Sequence, residues 1–180
     1  MTTIVRAAVA ADYDDIRRIG VEAYVAGGFI EADGPYAREL ARVEERAGVH
    51  PVYVAVRDGV VAGSVTLASG AGHLVEFAAP GQVEMRMLTV DPAFQRAGIA
   101  RALVLHSIEV VREGGFDAIV LRSATDLLPA HALYASMGFE RYPEQDHRLN
   151  ADTFQLAFIL RVRAVLGDGG VASAPLQVSA

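Results

Sequence analysis

The stretch VDPAFQRAGIARAL, residues 90–103, decides how the rest of the chain is read. An extended run ends at Asp91-Pro92, a polar Gln95-Arg96 pair follows, and beyond Gly98 the chain becomes a long apolar helix. The first turn of a helix leaves N–H groups without partners and carries the positive end of the helix dipole. A preceding loop that curls its amides inward makes a nest for an anion, and a pyrophosphate fits such a nest. Gly98 allows close backbone approach, Ala100 is the next smallest residue at the second tight position, and Arg96 and Arg101 add positive charge. The same spacing also describes an ordinary strand–turn–helix connection. A nucleotide-binding loop is a weaker reading, because no GK[ST] follows and no GxGxxG occurs.

Composition narrows the class. With 180 residues, 52% of them hydrophobic, the chain is long enough for one domain with a sizeable core. Residues 1–163 are expected to form that domain and 164–180, Gly/Ala/Ser-rich from Gly167, a flexible tail. There is no cysteine, which removes disulfides, thiolate metal sites and a thiol acyl-enzyme. A net charge of −6 argues against a nucleic-acid surface, which needs a clustered cationic field. The start lacks a basic segment followed by an apolar one, and the longest uncharged run, Gly59–Val75, is broken by glycines, serines and His73. A cytoplasmic domain without membrane spans is the expectation.

Periodicity orders the elements. Thr3–Ala8 reads as a strand; Asp12 caps a helix with Ile16, Ile19, Ala23 and Tyr24 on one face, ended by Gly27-Gly28. After Asp33-Gly34-Pro35, RELARVEERAG predicts a second helix that stops at Gly48. Strands 51–56 and 60–68 flank Arg57-Asp58-Gly59, a strong hairpin signal. A Gly/Ala-rich loop over 69–81 precedes strand 82–90, and the next helix places Ala100, Leu103, Val104, Ser107, Ile108 and Val111 on one face. AIVLR is a buried strand, Pro129–Met137 a short helix, and Phe139–Tyr142 and Thr153–Leu160 are closing strands. The prediction is an α/β fold with a mixed sheet of six to seven strands, antiparallel first and partly parallel later, and about four helices.

Three segments carry a resemblance. QRAGIA, residues 95–100, fits the pattern [QR]-x-x-G-x-[GA]; EMRMLTVDP precedes it; and ALYASMGFER follows about thirty residues downstream. Together, and in element order over residues 2–162, they resemble the GNAT superfamily of N-acetyltransferases. The resemblance implies acetyl-CoA as donor, a single acyltransferase domain, and fourth and fifth strands that splay to admit the pantetheine arm. It implies that Leu88, Thr89 and Val90 offer backbone groups to the pantetheine and acetyl carbonyl. Arg96, Ala97, Gly98, Ile99, Ala100 and Arg101 would present amides to the pyrophosphate, with Gln95 heading the motif. An acyl donor longer than acetyl would differ only in the cleft lining.

Acetyl transfer to an amine needs a proton removed, an oxyanion stabilised and a thiolate protonated. Alternation in strand 82–90 puts Glu84, Arg86, Leu88 and Val90 on one face and Met85, Met87 and Thr89 on the other. Glu84 matches the position of the general base in some family members, directly or through a water; the plainer reading pairs it with Arg86 or another cation. Tyr134 stands where the family often has its general acid, and a phenol with pKa near ~10 is protonated at neutral pH. Ala130, Leu133, Tyr134 and Met137 also form a helical core stripe. The oxyanion donor implied by the family's strand bulge is the amide of Leu88 or Thr89. ATDLLPAH offers no clear counterpart to the family's cofactor-contacting asparagine, with Asp126 and Ser123 as substitutes. His50, His73, His106, His131 and His147 are scattered, so no metal is expected.

The implied reaction is direct attack within a ternary complex by a small-molecule or peptide amine, received over Tyr24, Phe29, Ile30, Glu31, Asp33, Tyr36 and the 140–146 loop. A non-catalytic acyl-CoA sensor would keep the Gly98 turn and lack a competent base. A pure interaction protein would not respond to CoA. FQLAFILRVRAVL could supply an edge strand for a homodimer.

Overall fold

A computed structural model describes residues 2–151 and 153–162; the predicted tail over 164–180 lies outside them. The elements run β1 Thr3–Ala7, α1 Tyr13–Ala26, α2 Pro35–Ala41, α3 Val43–Ala47, β2 Val52–Arg57, β3 Val60–Ala68 and β4 Gln82–Val90. Then follow α4 Ile99–Glu113, β5 Ala118–Ala124, α5 Leu128–Ser136, β6 Glu140–Arg141, β7 His147–Arg148 and β8 Phe154–Arg161. The sheet has eight strands in the order β1-β2-β3-β4-β5-β8-β6, with β7 also on β8. β4 and β5 pair in parallel, whereas β1 with β2, β2 with β3, and β8 with β5, β6 and β7 are antiparallel. The expected mixed sheet is present.

Two compact units divide the described chain. The first holds residues 2–68 and 86–107. Its β1, β2 and β3 form an antiparallel meander, and the turn residues Asp58 (φ 50°) and Gly59 (φ 84°) supply the two positive φ angles of a type I′ hairpin. Ile16 and Ile19 of α1, Val43 and Ala47 of α3, and Val52, Val54 and Val61 of the meander make one core cluster.

Two expectations change in this unit. The second helix breaks at Arg42 (ψ 57°) into α2 and α3. The break leaves Leu40 and Val43 both fully buried, and the Arg46 side chain reaches back to donate to the Leu40 carbonyl at 2.8 Å. A carbonyl orphaned at a helix end thereby regains a donor. Asp12 makes no side-chain cap on α1; its carboxylate accepts from both terminal nitrogens of Arg6 (2.6 and 2.9 Å) and from the Val9 amide (2.8 Å).

The second unit holds residues 69–85 and 108–162. The parallel register of β4 and β5 has three rungs, Gln82↔Ala118, Val83↔Ile119 and Glu84↔Val120. β5 continues to Ala124 along β8 from Ala118↔Arg161 to Ala124↔Gln155. Ala118, Val120 and Ile159 are buried together, with Phe77, Ala78 and Tyr142 packed against them. The strand count exceeds the sequence expectation through β7, two exposed residues in a polar stretch that shows no hydrophobic alternation.

Candidate active site

In the first unit, the end of β4 departs from regular strand geometry. Met87 has φ 52°, an uncommon conformation for a residue with a side chain and one that kinks the strand. Met85, Met87 and Thr89 are buried while Arg86, Leu88 and Val90 are half-buried, as alternation requires. Beside this kink lies Gly63 of β3. A Cβ there would stand 2.6 Å from the Thr89 carbonyl oxygen and 3.0 Å from Ile99 Cγ2. Gly63 therefore lets β4 and the start of α4 come close, and nothing in its local sequence announces that role. The hydroxyls of Ser64 and Thr89 meet at 3.2 Å.

The next residues are held from two sides. The Asp91 carboxylate accepts from the Ala93 amide at 2.8 Å and from Arg18 of α1 at 2.9 Å. Arg57, the last residue of β2, donates to the Ala97 carbonyl at 2.9 Å. Between these clasps Arg96 (φ 60°) and Gly98 (φ 82°) are left-handed. The Ala97 amide donates to Phe94 and the Ala102 amide to Gly98. The amides of Arg96, Gly98, Ile99 and Ala100 have no acceptor among the described residues. Gln95 and Arg96 are exposed, Ile99 buries its side chain, and Arg101 is exposed. A Cβ at Gly98 would meet nothing within 4 Å, so this glycine answers to backbone conformation and not to crowding by the protein.

The second unit places Glu84 in full burial, unlike Arg86 two residues on. One carboxylate oxygen, Oε2, accepts the amides of Glu76, Phe77 and Ala78 at 2.8, 3.1 and 3.3 Å. Glu84 thus clips the 76–78 segment onto β4. Arg122 of β5 reinforces the same segment. Its guanidinium lies 4.0 Å above the Phe77 ring and 3.6 Å from the Glu76 carboxylate, and its Nε donates to the Gln145 carbonyl at 2.8 Å.

Tyr134 of α5 is buried, its ring centroid 5.6 Å from Phe139 and 5.7 Å from Phe158. Burial pushes its phenol well above the ordinary tyrosine range. Ala130, Leu133 and Met137 are half-buried on the expected stripe. His131, one turn earlier, lies 5.1 Å from Phe158 with a buried Nε2 that has no hydrogen-bond partner among the described residues. Ser123 is buried and Asp126 exposed. Tyr24, expected on an acceptor surface, packs edge-on against Phe29 and Tyr36 at 6.4 and 5.4 Å. Among the described residues no three His, Cys, Asp or Glu side chains gather as a metal site, and no helix is long and apolar enough to cross a membrane.

Residues 13–139 match the acetyltransferase (GNAT) family, and the chain belongs to that family. Among individual relatives it is 35% identical over 94 residues to N-acetylaspartate synthetase of Danio rerio, covering 52% of this chain and 31% of that protein. It is also 35% identical over 97 residues to the N-alpha-acetyltransferase RimI of Mycobacterium tuberculosis, covering 54% of this chain and 57% of that one. The chain thus spans about a third of the first relative's length and a little over half of the second's. The fold is shared with the PaiA N-acetyltransferase of Thermoplasma acidophilum in complex with coenzyme A. That structure has a TM-score of 0.69 at 15% identity, covering 87% of this chain and 98% of the other.

Proposed function

We propose that this protein transfers an acetyl group from acetyl-CoA to a primary amine by direct attack. The observation that carries the reading is the 96–100 turn, where four amides around left-handed Arg96 and Gly98 have no acceptor among the described residues at the start of a long helix. A pyrophosphate is the ligand such a nest suits, and the space a Gly98 side chain would occupy is open to receive it. In this reading Leu88, Thr89 and Val90 offer backbone groups to the pantetheine and acetyl carbonyl, next to the Met87 kink.

The amine nitrogen bonds to the thioester carbonyl carbon, the C–S bond breaks, and CoA leaves as a thiol. Tyr134 supplies the proton to the sulfur and regains one from solvent before the next turnover. Its hydroxyl forms no hydrogen bond among the described residues, and burial keeps it protonated. The proton lost by the amine goes to Glu84, directly or through a water, or to bulk solvent if Glu84 serves only to hold the 76–78 segment. The names of the matched relatives support an amino acid or peptide α-amine as acceptor class.

A panel of amines with acetyl-CoA, followed by thiol release, tests the reading. Amine-dependent release is expected. Binding of CoA with release on no amine would favour a non-catalytic acyl-CoA sensor, and no thermal stabilisation by saturating CoA would remove both readings.

A further inference from the structure

We propose that Arg57 is a positioning residue that presets the pyrophosphate nest by locking the 97–98 peptide, an inference that rests on the donor reading above. The peptide unit is planar and trans, so its C=O and N–H point in opposite directions. Arg57 Nη1 donates to the Ala97 carbonyl at 2.9 Å, across 40 residues of sequence. The Gly98 amide of the same peptide therefore faces away from Arg57. It has no acceptor among the described residues, and the space beside Gly98 is open.

Such a lock is needed because of the glycine. Gly98 populates positive and negative φ with similar ease, so the peptide before it can rotate at small cost. A rotated 97–98 peptide would turn the Ala97 carbonyl, a partial negative charge, toward the ligand and remove one N–H from the nest. Arg57 sits on a stiff support: it ends β2, pairs with Thr3 on one side and Val60 on the other, and enters the Asp58-Gly59 turn. On the far side of the loop Asp91, held by Arg18, fixes the preceding 3₁₀ turn. The nest is thus set before ligand arrives, which lowers the ordering cost of binding.

The test compares the wild-type chain with Arg57→Ala and Arg57→Lys, using CoA binding by calorimetry and turnover with two donors. Acetyl-CoA carries the pyrophosphate; the acetyl thioester of N-acetylcysteamine does not. For Arg57→Ala we expect CoA affinity to fall about tenfold and the KM for acetyl-CoA to rise by a similar factor. Values of kcat/KM for the short thioester and of the KM for the amine should stay within about twofold. Arg57→Lys keeps an N–H donor of similar reach and should recover most of the lost affinity. Unchanged CoA affinity in Arg57→Ala overturns the proposal. So does an equal loss with both donors, which would assign Arg57 to fold maintenance, or a Lys variant as weak as Ala, which would deny that a donor to the Ala97 carbonyl sets the nest. Absence of CoA binding in the wild type would instead overturn the donor reading itself.

Discussion

The 91–98 turn of the first unit and the 76–78 segment of the second are both loops held by a charged side chain, but with opposite polarity. Arg57 grips a carbonyl, which leaves the amide of that peptide pointing outward. Glu84 grips three amides and so fills, with its own carboxylate, the kind of nest that the first loop leaves open. One cluster of amides has no acceptor among the described residues, and the other is satisfied internally by a side chain. The contrast teaches that left-handed turns and clustered amides do not by themselves mark a ligand site; what decides is whether the protein already supplies the anion.

The largest effect is expected where that internal anion is removed. Glu84→Ala strands three amides, each costing about 1–3 kcal/mol when buried and unpaired. Hydrogen exchange of the Phe77 and Ala78 amides should then accelerate and turnover collapse. Glu84→Gln keeps an acceptor oxygen but no proton-accepting carboxylate. A drop in kcat of roughly 10²-fold or more with the loop still protected would assign Glu84 to proton transfer. Near wild-type turnover would leave it as the clip alone.

Tyr134→Phe comes next. kcat should fall roughly 10²-fold with the KM for acetyl-CoA little changed. Thermal stability at neutral pH should hold, because the lost hydroxyl leaves no partner unsatisfied. Above pH ~10 an unfolded tyrosine ionises while the buried one, with its pKa raised, keeps its proton. Stability in the wild type is therefore full below that pH and declines above it, and the Phe variant should show a flatter alkaline limb in a pH series of melts.

The two glycines of the first unit sharpen the comparison further. Gly63→Ala forces a methyl against the Thr89 carbonyl and should cost about 2–3 kcal/mol of stability, read as a lower melting temperature. Gly98→Ala meets no protein atom and should cost only about 1–2 kcal/mol for its left-handed backbone. Under the proposed donor reading its larger signature should be weaker CoA binding, since the left-handed backbone shapes the turn. Equal effects of Gly98→Ala on CoA and on the short thioester would break the distinction.

The smallest effect is expected at the Asp12 clasp. Asp12 is held by Arg6 and by the Val9 amide, and the hydrogen bond from Arg6 lowers its pKa. That contribution is present above the ordinary aspartate range and is lost as pH falls through the depressed value. Asp12→Asn should flatten the acid limb of the stability profile without altering CoA affinity.

Much of the architecture was legible in the chain. Strands 60–68 and 82–90 appear with the boundaries read from their apolar runs, and α4 buries Leu103, Val104, Ser107 and Val111 as its spacing requires. The break at Arg42 was not legible, because RELARVEERAG has continuous helical spacing and only the core it enters makes Val43 turn inward. Gly98 and Tyr134 stand at motif positions legible in the chain. Glu84 was found as a residue, but its three amide partners were not, since they lie on a loop with no pattern of its own. Gly63 and Arg57 escaped notice because a glycine in a strand and an arginine beside a hairpin turn look ordinary where they stand.

By itself the sequence determined the periodic elements, the Asp58-Gly59 hairpin and the motifs that place the chain in the acetyltransferase (GNAT) family. Each of these depends on residues a few positions apart, whose sterics and hydrogen bonds are set locally. Only the tertiary structure decided which nest is filled and which is open. That choice rests on Arg57 reaching Ala97, Arg18 reaching Asp91 and Glu84 closing on its loop, with the first two spanning 40 and 73 residues. Contacts between residues so far apart in the chain exist only once the sheet has brought them together.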